Sequence, residues 1–265
     1  MASTDLERHR QADRLLQCGR LEEALQEFRA ILDSESDPVG RAYVSAGVVQ
    51  CLSRMGRFEE ARDILQKAAR QLPKDHTTRL DLEFFHACLY WDEGKCAEAQ
   101  RILDRLLEEN REFLSSPDGR ELYRDIQVKR GISLTAFQRF GEACPILEEV
   151  RSLGLSEEQE GDVLCNLGAC YYALGKKAQA KAAFLAALEA GVQNYWGIRA
   201  HFYLGMIYAE SGSHAWAKQE LELCAPNAAE AQLSSRDVFR LLAVVCRELG
   251  LEDEAERYAK LAEQS

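Results

Sequence analysis

The stretch from Leu164 to Phe184, LCNLGACYYALGKKAQAKAAF, decides the architecture. On both sides of Gly175 its apolar residues recur at the i, i+3, i+4, i+7 spacing of an amphipathic helix. Glycine adopts the left-handed conformation that ends a helix at little cost. Gly168 stands seven residues before that turn and Ala180 five after it, where two helices folding back on each other would cross. Small side chains there allow close approach, and Phe184, one helical turn beyond Ala180, would fill the space beside them. The stretch predicts a helix, a tight turn and a second, antiparallel helix.

Its skeleton, Gly-x4-Ala, recurs at Gly19/Ala24, Gly56/Ala61, Gly94/Ala99, Gly212/Ala217 and Gly250/Ala255. In a further copy Gln138 replaces the glycine ahead of Ala143. Successive alanines lie 37, 38, 44, 37, 37 and 38 residues apart, a length that suits one helical hairpin per repeat. Twelve residues before them stand Ala12, Val49, Ala87, Gly131, Gly168, Gly205 and Ala243, all small except Val49. About seven repeats follow, approximately 5–37, 38–75, 76–117, 118–155, 156–193, 194–231 and 232–265, in one continuous stack. The 44-residue interval contains Ser115-Ser-Pro-Asp-Gly119, a turn signal. Residues 110–119 are expected to form a loop after an extended helix end, or a hinge.

The pattern resembles the tetratricopeptide repeat, W-x2-L-G-x2-Y…A-x3-F…P. Leu164-x2-Leu167-Gly168-x2-Tyr171 with Ala180-x3-Phe184 carries it best, followed by His201-x2-Leu204-Gly205-x2-Tyr208 with Ala217-x3-Leu221. Pro73 matches the terminal proline, and Pro38 and Pro226 fall close to it. Arg8, Ser45, Glu83 and Gln127 stand where the family has a large residue, so the first four repeats are degenerate. The resemblance implies an all-α fold, a right-handed α-solenoid of antiparallel hairpins whose first helices line a concave groove. It also implies a protein-interaction scaffold or adaptor.

Composition narrows the function. The 265 residues carry a net charge of −11, which does not favour nucleic acid or anionic membranes as partners. Nine cysteines, an odd number without CxxC, mostly fall in helical patterns and suit a reducing, cytoplasmic setting. The first ten residues carry charges where a signal peptide needs an apolar core, and no stretch has the length and apolarity of a membrane span. His9, His76, His86, His201 and His214 lack ligand spacing, and the glycines follow the repeat rather than a phosphate loop. The chain is therefore expected to bind no metal or cofactor and not to be an enzyme. The acidic pairs Glu22-Glu23 and Glu59-Glu60 fit helix N-termini.

Counting the small residue as position eight, positions 2, 5, 6, 9 and 12 of the first helices point to the groove. They supply Tyr43, Phe84, Phe85, Trp91, Asn166, Tyr172, Arg199, Phe202, Tyr203, Met206, Arg240 and Arg247. Aromatic residues and arginine dominate interface energies, yet each aromatic could equally be core, since a one-residue register error turns a side chain by about 100°. Ala24, Ala61, Ala99, Ala143, Gly168, Ala180, Gly205, Ala217 and Ala255 are the packing positions that define the repeats. Some family members clamp a C-terminal carboxylate; Asn166 and Arg199 match two of the clamp positions, but Val128 and Ile132 replace the polar pair of the preceding repeat. The expected partner is a peptide or helical segment of another protein. Its acidic or carboxylate feature would be selected by Arg199 and Arg240. Rival readings are a regulatory subunit that senses a peptide or modulates an enzyme, and an enzyme whose site is not legible. The last repeat, with Leu251, Tyr258 and Leu261, is expected to leave a face open to a second copy.

Overall fold

The computed structural model describes residues 3–192 and 195–265, and among them there is no β-strand. The expected repeat boundary at 193/194 lies outside the described residues. Contacts divide the chain into two compact units, Met1–Ile126 and Gln127–Ser265.

In the first unit α1 (Ser3–Gln17) pairs with α2 (Leu21–Ser34), α3 (Pro38–Arg54) with α4 (Phe58–Gln71), and α5 (Thr78–Asp92) with α6 (Cys96–Glu109). A one-turn helix α7 (Arg111–Leu114) follows, and α8 (Arg120–Ala136) begins. The segment expected as a loop is thus partly helical and tightly folded. Ser116 donates to the Phe113 carbonyl at 2.6 Å, and a Cβ at Gly119 would meet that same oxygen at 2.1 Å. Only glycine fits there.

The second unit takes the rest of α8 with α9 (Phe140–Ser152), then α10 (Glu157–Ala173) with α11 (Lys177–Glu189). α12 (Tyr195–Glu210) pairs with α13 (His214–Cys224) and, after a 3-10 turn at Ala225–Asn227, α14 (Ser235–Glu248) with α15 (Glu252–Gln264). Three of the first helices begin on side-chain caps: Asp37 accepts from the Gly40 amide, Ser156 forms a reciprocal capping box with Gln159, and Ser234 accepts from the Asp237 amide, whereas Thr77, at the head of α5, makes no such bond. Second helices lack such caps, because the turn already fixes the chain. At Gly175 (φ +74°) the Gly175 amide bonds to the Tyr172 carbonyl and that of Lys176 to Tyr171, a two-bond helix stop. Gln138 makes the same pair of bonds at φ +59°, a conformation that disfavours a side chain. Arginines at the turn ends then pair with first-turn glutamates: Arg20 with Glu23, Arg57 with Glu60 at 2.6 Å, and Arg139 with Glu142 at 2.7 Å. In this position the carboxylates also lie near the positive helix ends.

The cores are built at the crossings. Ala24, Ala61, Ala143, Ala180, Ala217 and Ala255 are fully buried and Ala99 nearly so. In the second unit the residue four beyond the alanine reaches back over the small residue of its own hairpin: Leu147 on Gly131, Phe184 on Gly168 and Leu221 on Gly205. In the first unit Phe28 lies on Gly47 of the next hairpin and makes a T-shaped contact with the His9 ring at 5.3 Å. Tyr258, expected on an open end face, is buried instead; it stacks near Phe239 and donates its hydroxyl to Glu222 at 2.8 Å. Leu251 is 37% exposed.

Candidate functional site: a polar-floored cavity in the second unit

The second unit contains a cavity of about 490 Å³ whose walls come from α10, α11, α12, the α8–α9 turn and the approach to α14. Asn166 is wholly buried on its α10 side. Its Nδ2 donates to the Asp162 carbonyl at 2.8 Å, which fixes the amide orientation, and its Oδ1 has no hydrogen-bond partner. A buried acceptor left unmatched costs about 1–3 kcal/mol. An incoming N–H donor would recover much of that.

Opposite stands Arg199 of α12. Its Nη1 donates, at 3.4 Å in each case, to the Tyr195 hydroxyl and the Ala231 carbonyl, and its guanidinium lies 5.5 Å and 5.9 Å from the centroids of Tyr195 and Tyr203. Among the described residues no carboxylate lies within ion-pair distance of it. Aromatic faces hold a guanidinium in place while leaving N–H donors for a planar acid. Tyr203 is itself fixed by stacking on Phe184 at 5.1 Å with the ring planes 7° apart.

Two glutamines at the rim, Gln138 (φ +59°) and Gln232 (φ +54°), are the only described non-glycine residues with positive φ. Left-handed backbone costs of order 1 kcal/mol per residue and gathers at functional sites. Cys165, also in the wall, is a buried thiol pushed up to about 12 by burial, with Sγ–H directed to the Trp196 carbonyl at 3.6 Å. It is un-ionised near neutrality and so a poor nucleophile.

The groove residues expected from the sequence separate into three places. Asn166, Arg199 and Tyr203 meet in this cavity. Tyr172, Phe202 and Met206 support it from outside: Tyr172 and Phe202 lie 5.4 Å and 5.9 Å from the Tyr203 ring, and the Tyr172 hydroxyl approaches the Met206 sulfur at 3.9 Å. That hydroxyl also donates to Glu210 at 2.7 Å, and its pKa is pushed up to about 12, by burial first and then by this bond. Arg240 and Arg247 do not join Arg199; with Arg236 and Val244 they line a separate cavity between α14 and α15. Tyr43, Phe84 and Phe85 line a groove of the first unit, and Trp91 lines neither.

Gln138, Gln232, Tyr195 and Trp196 escaped sequence reasoning, although the missing turn glycine at 138 was a visible signal. No trio of His, Cys, Asp or Glu among the described residues is placed to hold a metal ion, and no helix is long and apolar enough to cross a membrane. All nine cysteines are free thiols.

Comparison with known proteins agrees with this architecture. Among curated proteins none matches significantly. Solved structures with related folds include PilF of Pseudomonas aeruginosa (TM-score 0.65, 18% identity, 84% of this chain and 90% of that one). The apo form of RapI gives a TM-score of 0.63 at 13% identity, covering 99% of this chain and 77% of that one. PilW, a type IV pilus biogenesis factor, gives 0.58 at 15%, covering 82% and 90%. One tetratricopeptide repeat model matches residues 15–78 and 52–126, and a second, also described as tetratricopeptide repeat, matches 161–190. With more than half of its length matched and helix hairpins built on buried small residues throughout both units, the chain belongs to the tetratricopeptide repeat family.

Proposed function

We propose that this protein is a non-catalytic interaction scaffold whose second unit holds a segment of a partner protein over the Arg199 cavity. The observation that carries the reading is the pairing, in one aromatic-walled cavity, of a buried acceptor and a guanidinium, Asn166 Oδ1 and Arg199, which among the described residues have no donor and no carboxylate partner respectively. A peptide presents both complements at once: a backbone N–H for Asn166 and an acidic side chain or terminal carboxylate for Arg199. The net charge of −11 weighs against a nucleic acid in that role, and nine free thiols suit a reducing compartment.

Quantitative capture from a native extract tests it. The unmodified chain should retain a defined partner, and Arg199→Ala combined with Phe202→Ala should lose it with unchanged circular dichroism. Equal retention by the double variant would reject this site.

A further inference from the structure

The first unit has a groove of opposite electrical character. It occupies about 680 Å³ between α3, α5, the turn after α7 and the start of α8. Four rings line it, Tyr43, Phe84, Phe85 and Phe113, and Tyr43 is 60% exposed. Water-exposed aromatic surface in a concave site is the usual mark of a binding groove. Beside Thr77 and Thr78 its polar lining is acidic, from Asp81, Asp118, Glu121 and Asp125, with no lysine or arginine. Arg124, outside the lining, bridges Glu121 at 3.4 Å and Asp125 at 3.2 Å. Asp81 and Asp118 have no cationic partner within 4 Å among the described residues.

We propose that this groove is a second docking site, which takes a partner-protein segment carrying a lysine or arginine between apolar side chains. The argument is charge complementarity over an aromatic floor. A long cationic side chain lays its methylenes on the rings, gains from their electron-rich faces, and brings its charge to Asp81 and Asp118. A metal ion is the poorer occupant, because these carboxylates do not converge into a three-ligand cluster. The half-buried Asp81 supports the assignment: burial, then Asp125 and Glu121, push its pKa up to about 6, so it lacks a compensating positive charge. The site shares no residue with the Arg199 cavity and differs from it in charge, and neither proposal depends on the other.

Titration calorimetry of the full chain at low salt tests it with three capped nonapeptides, in which leucine alternates with arginine, glutamine or glutamate. The arginine peptide should bind at least about tenfold more tightly than the glutamine peptide, and the glutamate peptide, measured on the Arg199→Ala variant to silence the other cavity, should not bind. Asp81→Asn with Glu121→Gln should weaken the arginine peptide at least about tenfold. Arg199→Ala, and the charge-matched control Glu189→Gln with Glu256→Gln in the other unit, should leave it unchanged. Circular dichroism checks the fold of each variant. Equal binding of the glutamine peptide, equal loss in the control variant, or displacement of the arginine peptide by stoichiometric calcium chloride would overturn the proposal.

Discussion

Phe184 lies directly across Gly168: a methyl group there would meet the ring at 2.6 Å, and the ring is almost fully buried. Alanine is the better helix former by about 1 kcal/mol, while forcing a packed ring aside costs about 1–3 kcal/mol. Gly168→Ala should therefore destabilise by up to about 2 kcal/mol. A lower urea midpoint at unchanged slope would report it. Gly131→Ala, under Leu147, should behave alike.

Gln138 sits where the other turns have glycine. Gln138→Gly should raise stability by about 0.5–1 kcal/mol by relieving the left-handed strain, less the added freedom of the unfolded chain. Because the side chain lines the Arg199 cavity, the same change should weaken capture of the partner. A variant more stable in urea and poorer in binding is the expected outcome.

Asp81 gives stability a pH dependence. Its folded value of about 6 lies above the ordinary 3.8, so the fold favours the protonated form. Its contribution is fully present below pH 3.8 and is lost as pH rises through about 6. Burial is the main cause, followed by Asp125 and Glu121 on α8; Asp118 is the other carboxylate in the groove. Asp81→Asn should stabilise the protein by about 1 kcal/mol at pH 7.5, a figure reduced for solvent screening, and the gain should vanish near pH 4. Parallel thermal melts at the two pH values measure it.

Thiol reactivity checks the burial pattern. Burial pushes Cys51 and Cys144 up to about 11 and Cys165 and Cys224 up to about 12. Cys18 is exposed, and Cys88 and Cys96 are half-buried. A disulfide reagent at pH 7.5 should modify Cys18 first, Cys88 and Cys96 more slowly, and the rest only in denaturant.

The hairpins were legible in the sequence because their cause is local and repeated: a turn residue, two small residues and one bulky one at fixed offsets. The partnership of Phe28 with Gly47 was not, because it crosses between hairpins and nothing in the spacing distinguishes it from Phe184 on Gly168. At the groove, register counting brought Asn166, Arg199 and Tyr203 together. It could not separate Arg240 and Arg247 from them, since a repeat position recurs along the whole chain while a cavity draws on neighbouring hairpins only. Asp81 and Asp125 hold the same register position as Tyr43 and Arg199; a search tuned to aromatics and arginines passed over them. Tyr195 and Trp196 precede the counted positions and became visible only when α12 was placed.

Site-specific photocrosslinking from position 232 tests the central claim most directly. A benzoylphenylalanine there, at the cavity rim, should form a discrete adduct in native extract, and the attached peptide should carry an acidic side chain or a C-terminal carboxylate. The adduct should disappear with Arg199→Ala and should not form from position 216, where exposed Trp216 lies outside the cavity. An adduct unaffected by Arg199→Ala, or formed equally from position 216, would contradict the account.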